Sequence, residues 1–276
     1  MIKKINDTVQ LHNGIHIPRL GLGVYKMTDD QETLQAIKGA LSEGYRLIDT
    51  AAFYDNEAIV GEAVRQSGIN RKDLFITSKV WNSDQGYDET LRAFEQSLTK
   101  LKMDYMDLYL IHWPVADKYK ESWRAIERLY EEGIVKSIGV SNFKIHHLED
   151  LMTQANTKPM VNQVELHPYL SQQELRDYCN EQQIAVEAWS PIARNRLADE
   201  PVLNQLANHY NKTVAQIILR WHLQNDVIII PKSVHLNRLK ENADLFDFEL
   251  TADDMAAVHA INKNQRFGAD PDTFDF

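Results

Sequence analysis

Four side chains in this sequence could together transfer a proton to a carbonyl oxygen: Asp49, Tyr54, Lys79 and His112. A phenol is a weak acid at neutral pH, and an adjacent ammonium favours its phenolate form, so Lys79 could tune Tyr54 as a general acid. Asp49 would hold Lys79 charged and in place. His112 would donate a hydrogen bond that positions the substrate oxygen. These residue types therefore predict acid-base chemistry at a carbonyl group.

Each of the four residues has an ordinary structural explanation when it is taken alone. Asp49 could cap a helix, Tyr54 could pack as an aromatic, Lys79 could be solvated and His112 could be a satisfied core histidine. Their positions favour a site, because they lie at or just after the strand segments YRLID, LFITSKVW and MDLYLIHWP. Loops that follow strands are where a scaffold can aim reactive groups.

The elements that must position these residues alternate regularly. Eight candidate strands, the first near Leu20–Val24, are each followed by a helical segment, and TVQLHNGIHIP predicts an N-terminal β-hairpin. The pattern predicts a (β/α)8 TIM barrel, whose strand ends meet on one face. PVLNQLANHYNKTVAQIILRWHLQ is taken as one helical segment, and LNRLKENADLF closes the series. An open doubly wound sheet is the alternative, but Gly21 and Gly23 are only half of its glycine motif.

Composition restricts the class of protein. The 276 residues are 43% apolar and 25% charged, with no linker, so we predict a single domain over residues 1–276. A formal charge of -10 disfavours a nucleic-acid surface. The one cysteine, Cys179, excludes an intramolecular disulfide, and no apolar run is long enough to suggest a signal peptide or a membrane span. We expect a cytoplasmic monomer that binds neither membrane nor nucleic acid.

Several longer motifs, in the same order along the chain, carry a resemblance to a known family. They are LIDTAAFYDNEAIVGEAV, ITSKVW, MDLYLIHWP, IGVSNF, NQVELHP, the SPI after Trp189, and IIPKSVHLNRLKEN. The sequence resembles an aldo-keto reductase along essentially its whole length. The resemblance implies the barrel, a catalytic tetrad of Asp49, Tyr54, Lys79 and His112 with Tyr54 as proton donor, and a nicotinamide dinucleotide bound without a Rossmann domain.

The resemblance also implies where the nicotinamide lies. Ser141, Asn142 and Gln163 match the polar groups that hold its carboxamide, and Trp189 occupies the place of the aromatic that stacks on its ring. Ser190 is assigned to the cofactor with them. Without the family context, a core aromatic would explain Trp189 and a helix cap would explain Ser141 and Asn142.

The segment from Lys232 to Arg238 predicts the form of the cofactor. Lys232, Ser233, Val234 and Arg238 offer two cations, a hydroxyl and main-chain N–H groups to the 2′-phosphate of NADPH. We therefore predict NADPH rather than NADH. Glu241 and Asn242 match the family's adenine contacts in sequence. A surface helix with ordinary N-terminal signals is the alternative for this segment.

The substrate pocket is predicted from three aromatic residues. Tyr25, Trp81 and Trp113 follow strand ends and would wall the pocket beside His112. The short loops resemble the compact prokaryotic branch, which includes glyoxal, methylglyoxal and 2,5-diketogluconate reductases. We therefore predict NADPH-dependent reduction of aldehydes and ketones such as glyoxal, methylglyoxal and aromatic aldehydes. The alternatives are a sugar keto acid reductase and an NADPH-binding regulatory subunit.

Two further features have no role in the predicted chemistry. The histidines lack ligand spacing, and His146 and His147 are expected on a helix surface, so no metal is predicted. In the tail RFGADPDTFDF, Phe274 and Phe276 either fold back over the barrel or belong to a frayed acidic end.

Overall fold

A computed structural model describes residues 2–276, beginning with a short antiparallel hairpin. The hairpin pairs β1 (Thr8–Gln10) with β2 (His16–Pro18). Gly14 has φ +88°, and the Asn13 side chain accepts a hydrogen bond from the Ile15 amide at 3.1 Å, so the Asn-Gly pair makes the tight turn as predicted. Asn13 also donates to the Lys136 carbonyl at 3.0 Å, which ties the hairpin to the start of a barrel strand.

Eight parallel strands form the central sheet. They are β3 (Gly21–Gly23), β4 (Leu47–Asp49), β5 (Phe75–Val80), β6 (Met106–Ile111), β7 (Val135–Ser141), β8 (Val161–Glu165), β9 (Ala185–Trp189) and β10 (Ile228–Ile229). Each pairs with its neighbours in sequence order from β3 to β10. A parallel bridge between Leu20 and Ile229 joins the two edges, and the Ile229 amide donates to the Arg19 carbonyl at 3.0 Å. The sheet is therefore closed into a barrel.

Ten α-helices accompany the strands in residues 2–276. They are α1 (Asp30–Ser42), α2 (Glu57–Gln66), α3 (Tyr87–Leu101), α4 (Tyr119–Glu131), α5 (Ile145–Met152), α6 (Gln173–Glu181), α7 (Pro201–Tyr210), α8 (Val214–Gln224), α9 (Leu236–Ala243) and α10 (Ala252–Ala260). Their apolar faces cover the outside of the sheet, and all six residues of β5 are consequently buried. The hydrophobic core is one continuous cluster that reaches from Leu11 to Val258.

Two helical assignments differ from the sequence prediction. The segment from Pro201 to Gln224, taken as one, is two helices, because Asn211 adopts a left-handed conformation (φ +51°) and Thr213 starts α8 with a capping box to Gln216. Helix α10 was not predicted at all. Thr251 and Asp254 form its capping box, which was the available sequence signal.

None of the helices in residues 2–276 is both long enough and apolar enough to cross a membrane.

Candidate functional site

The four predicted proton-transfer residues meet at the carboxyl end of the barrel. Lys79 Nζ donates to Asp49 Oδ1 at 2.7 Å and to the Thr50 carbonyl at 3.0 Å, and it lies 3.3 Å from the Tyr54 hydroxyl. Asp49 is the last residue of β4, and Lys79 is the penultimate residue of β5. The His112 ring lies edge-on to the Tyr54 ring, with centroids 5.6 Å apart. The geometry therefore joins an ion pair, a phenol and an imidazole.

Burial decides how these groups ionise. It raises the pKa of Tyr54 to about 12, and the Lys79 ammonium opposes that shift only in part. Burial alone would lower the pKa of Lys79, but Asp49 and Tyr54 outweigh it and the pKa is raised. Burial and the nearby Lys79 hold the pKa of His112 well below its ordinary value. At neutral pH the site therefore contains a protonated Tyr54 phenol, a positively charged Lys79 ammonium and a neutral His112 imidazole.

A cavity of about 770 Å³ opens directly above these residues. Its wall includes the tetrad members Asp49, Tyr54 and His112, while Lys79 is buried beneath them. The predicted substrate residues Tyr25, Trp81 and Trp113 also line it. Its volume is in the usual range of small-molecule sites.

The aromatic wall contains two residues that were not predicted to belong to it. Phe53 stacks on Trp81 with ring centroids 3.8 Å apart, and Phe276 lies parallel to Trp81 at 6.0 Å. Asn82 Nδ2 donates to the Phe276 carbonyl at 3.0 Å, and Phe274 packs on Trp113. Of the two possibilities for the tail, the structure shows the folded-back one.

The residues predicted to hold the nicotinamide lie on three neighbouring strands: Ser141 ends β7 and is followed by Asn142, Gln163 is on β8, and Trp189 ends β9. Trp189 Nε1 donates to Asn142 Oδ1 at 2.8 Å, and Asn142 Nδ2 donates to the His112 carbonyl at 2.9 Å. Ser141 Oγ donates to the Gln163 carbonyl at 2.8 Å. Asn142 has φ +64°, a conformation that asparagine tolerates and that turns its amide inward. All four residues line the cavity.

The residues predicted to hold the 2′-phosphate lie at and beyond the end of β10. Lys232 reaches the cavity wall, and Arg238 is exposed on α9; within residues 2–276 neither pairs with a carboxylate. The Ser233 hydroxyl accepts a hydrogen bond from the His235 amide at 3.1 Å and so stabilises the turn that leads into α9. Val234 is the middle residue of this turn.

The predicted adenine residues are both on α9. The Glu241 carboxylate accepts from Thr213 Oγ1 at 2.8 Å, and Asn242 is buried. Neither Glu241 nor Asn242 is among the residues that line the cavity.

The loop after β9 is strained where it lines the cavity. Ser190 has φ +48°, and Ala193, Arg194 and Asn195 have φ values of +50°, +53° and +64°. Left-handed non-glycine residues in succession are unfavourable and are concentrated at ligand sites. Ser190, predicted to contact the cofactor, and Arg194, which was not predicted, both line the cavity.

Glu165 anchors the start of the tail beside the cavity. Its Oε1 accepts from the Phe267 amide at 2.7 Å and lies 3.0 Å from His167 Nε2, and its Oε2 accepts from the Gly268 amide at 3.0 Å. Gly268 lies so close to the Trp189 indole that a Cβ at this position would collide with it. Glu165 thus fixes the segment that packs against the predicted nicotinamide-stacking residue.

A cluster of His146, His147 and Asp272 resembles a set of metal ligands in composition. However, the Lys144 ammonium lies 2.6 Å from Asp272 Oδ2, and the Lys144 amide donates to His147 Nδ1 at 3.2 Å. That bond leaves the ring proton on Nε2, the atom that faces Asp272. The contacts therefore fit an ionic network that ties the tail to α5.

Comparison with known proteins identifies the class to which this fold and site belong. Residues 19–263 match the model of the aldo/keto reductase family. The chain is 56% identical over 276 residues to glyoxal reductase of Bacillus subtilis (strain 168), covering 100% of both. It is 44% identical over 274 residues to methylglyoxal reductase DkgA of Escherichia coli (strain K12), covering 98% of each.

A solved structure agrees with these relatives. A mutant of Gox0644 in complex with NADPH superposes with a TM-score of 0.94 at 43% identity, covering 98% of this chain and 99% of that one. The chain therefore belongs to the aldo-keto reductase family. The predicted family, barrel fold and enzyme class are confirmed, and the predicted cofactor, NADPH, is bound in this solved relative.

Proposed function

We propose that this protein uses NADPH to reduce small aldehydes and ketones, with glyoxal, methylglyoxal and aromatic aldehydes as its substrate class. The observation that carries the proposal is the Asp49–Lys79–Tyr54 chain of contacts, at 2.7 and 3.3 Å, beneath a cavity walled by aromatic side chains. Its glyoxal-reducing and methylglyoxal-reducing relatives support the substrate class.

In the proposed mechanism the chain supplies positioning and one proton. The bound cofactor supplies a hydride to the carbonyl carbon. The neutral His112 donates a hydrogen bond that orients the carbonyl oxygen, and Tyr54 gives that oxygen its proton. Lys79 stabilises the resulting phenolate, and Asp49 keeps Lys79 charged.

The residues of this chain fit a phosphorylated nicotinamide cofactor. Trp189 offers a flat face in the cavity, and Gln163 Nε2 is occupied within the barrel, which leaves its Oε1 to accept from a carboxamide NH2 group. Lys232 and Arg238 supply unpaired positive charge for a phosphate. We assign Ser141, Asn142, Ser190, Ser233, Val234, Glu241 and Asn242 to the same cofactor, within a single domain of residues 1–276 that acts as a monomer.

Sugar keto acids are a second candidate substrate class. Lys26 and Arg194 line the cavity, and a cation at the wall would favour a substrate with a carboxylate. A steep preference for such an acid over methylglyoxal would establish this alternative.

The test follows NADPH oxidation by absorbance with methylglyoxal, an aromatic aldehyde and a sugar keto acid, and uses NADH as the control cofactor. We expect turnover of several aldehydes with NADPH. Tyr54→Phe should lose about a hundredfold or more in kcat but still bind NADPH, because the phenol acts on the substrate oxygen. Tyr105→Phe, at the opposite end of the barrel, is the matched control and should retain turnover. NADPH binding without turnover of any aldehyde would favour the regulatory-subunit alternative.

A further inference from the structure

Glu187 is a buried carboxylate in the barrel interior that the proposed mechanism does not use. It lies on β9 two residues before Trp189, so both side chains point to the same face of the strand and Glu187 is one step deeper. Glu187 is 0% exposed. Its Oε2 accepts from Gln163 Nε2 at 3.1 Å, and its Oε1 has no partner within residues 2–276.

The same amide nitrogen connects Glu187 to the tetrad. Gln163 Nε2 donates also to Asp49 Oδ2 at 2.7 Å, while Lys79 pairs with the other Asp49 oxygen. The polar groups facing Glu187 are thus Asp49 from β4, Lys79 from β5 and Gln163 from β8. Its neighbour in register on β10 is the apolar Ile228. One cation must serve two carboxylates that share a single amide donor.

This arrangement favours a proton on Glu187. Two neighbouring buried carboxylates resist simultaneous ionisation, and the unpartnered Oε1 is the atom on which a proton would be held. Burial and Asp49 raise the pKa of Glu187 to about 8, against the opposing effects of Gln163 and Lys79. The pKa of Tyr54 is about 12 and that of His112 is well below its ordinary value. Neither of these groups titrates near pH 8.

The two forms of the cofactor differ in charge at the ring. The oxidised nicotinamide ring is cationic and the reduced ring is neutral, so an ionised carboxylate beneath the ring's binding residues favours the oxidised form. We propose that Glu187 is a redox-linked proton site, which holds a proton when NADPH is bound and releases it to solvent when NADP⁺ is bound. This inference rests on the proposed function.

The protons of the reaction remain balanced. The carbonyl, NADPH and one proton give the alcohol and NADP⁺, and the proton on the alcohol oxygen comes from Tyr54, which is reprotonated from solvent. The Glu187 proton leaves as the ring becomes cationic and returns when NADPH replaces NADP⁺. Glu187 therefore contributes no net proton over one turnover, but it couples cofactor exchange to pH.

Linkage gives a quantitative expectation. If ionised Glu187 strengthens NADP⁺ binding by some factor, NADP⁺ must raise the acid dissociation constant of Glu187 by the same factor, which lowers its pKa by the logarithm of that factor. Between pH 6.5 and 9 the affinity for NADP⁺ relative to NADPH should rise about fivefold. Taking this ratio cancels the titration of the 2′-phosphate, which both forms carry. In Glu187→Gln, which keeps an acceptor for Gln163 but cannot ionise, the ratio should be constant.

Calorimetry of cofactor binding at pH 7.5, in two buffers of different ionisation enthalpy, tests the proposal directly. We expect the wild-type protein to release a fraction of a proton on binding NADP⁺ and less on binding NADPH, and Glu187→Gln to show no such difference. Glu57→Gln is the matched control: Glu57 is also buried with an unpartnered oxygen, but it contacts Ser78 rather than Gln163.

The outcomes separate the inference from the proposed function. Equal proton release on binding the two cofactors by the wild-type protein would overturn the inference even if Glu187→Gln failed to fold. An undiminished difference in a folded Glu187→Gln would overturn it as well. If the wild-type protein bound neither cofactor, the proposed function would fall with it.

Discussion

Lys232 and Arg238 carry positive charge that the other residues of the described chain do not neutralise, although α9 is otherwise an ordinary amphipathic helix. Lys240, on the same helix, differs because it lies 3.4 Å from the Glu43 carboxylate. An unpaired lysine in the cavity wall, such as Lys232, is suited to a phosphate, and an exposed arginine such as Arg238 can bind two phosphate oxygens.

Replacing these cations should discriminate between the two nicotinamide dinucleotides. Lys232→Ala and Arg238→Ala should each weaken NADPH binding about tenfold or more, since a hydrogen bond to a charged group contributes roughly 1.5–3 kcal/mol. NADH lacks the 2′-phosphate and should be affected little. Fluorescence titration with both cofactors measures this, and Lys240→Ala serves as the control. Equal losses for NADPH and NADH would remove these residues from the phosphate site.

At the residue scale, the sequence predicted the side chains whose residue type indicates their chemistry. It did not predict the side chains whose role depends on being buried. Asp49, Tyr54, Lys79 and His112 could be placed because each lies at or near a strand end. Glu187 could not, because a charged residue within AVEAW resembles a solvent-facing strand position. The sequence contains one indication of its role. Strands of a parallel barrel are buried on both faces, so a charged residue within such a strand is unusual.

At the scale of elements, the Glu165 carboxylate at the end of β8 holds the start of the tail through the Phe267 and Gly268 amides. Burial alone would raise the pKa of Glu165, but the hydrogen bonds from His167 and from the Phe267 and Gly268 amides outweigh it and the pKa is lowered. A carboxylate whose folded-state pKa is lowered stabilises the fold above its ordinary pKa, and this stabilisation is lost as pH falls through the lowered value.

Glu165→Gln should therefore destabilise the protein by about 1–3 kcal/mol at pH 7, because an amide cannot accept all three donated hydrogen bonds. The difference from the wild-type protein should begin to shrink as pH falls below the ordinary glutamate pKa of about 4.3 and should shrink further as pH falls through the lowered pKa of the folded protein. Urea unfolding of the wild-type protein and of Glu165→Gln, at pH 7 and again below about pH 4, measures this difference in stability. A difference that stayed constant with pH would show that charge on Glu165 is not what holds the tail.

The helices show why the spacing of apolar residues alone does not predict where every helix begins and ends. Residues 201–224 keep an apolar pattern across the break at Asn211, so the pattern gave no sign of two helices. Helix α10 has only Val258 fully buried, so its pattern was too weak to notice. In both cases the better signal was a capping box, Thr213 with Gln216 and Thr251 with Asp254.

At the scale of the whole molecule, the barrel depends on how closely its first and last strands approach. The last strand, β10, contains only two residues. It is joined to the first strand of the barrel by the bridge between Leu20 and Ile229, which is the seam of the barrel. Three residues after Leu20, a Cβ on Gly23 would lie 2.8 Å from the Ile230 carbonyl oxygen. Gly23 and Ile230 both line the cavity, so a shift of the backbone at this seam would alter the cavity wall.

Gly23→Ala should thus lower the free energy of unfolding by about 1–3 kcal/mol, as overpacking against backbone does. It should also weaken cofactor binding. Gly39→Ala is the control, because the added methyl on α1 would meet only the exposed Leu236 side chain and alanine favours a helix. Urea unfolding of the two variants gives the comparison, and equal stability would mean that the seam is more tolerant than its geometry implies.

The distribution of tryptophan gives the protein an internal optical reporter. Three of its five tryptophans, Trp81, Trp113 and Trp189, line the cavity, whereas Trp123 and Trp221 are buried in the core. A bound nicotinamide would lie among the first three, and its reduced ring absorbs in the range where indole emits. If the cofactor binds as proposed, occupancy of the site can therefore be followed by the quenching of intrinsic emission with no label attached, and the three indoles that line the cavity should be quenched most strongly.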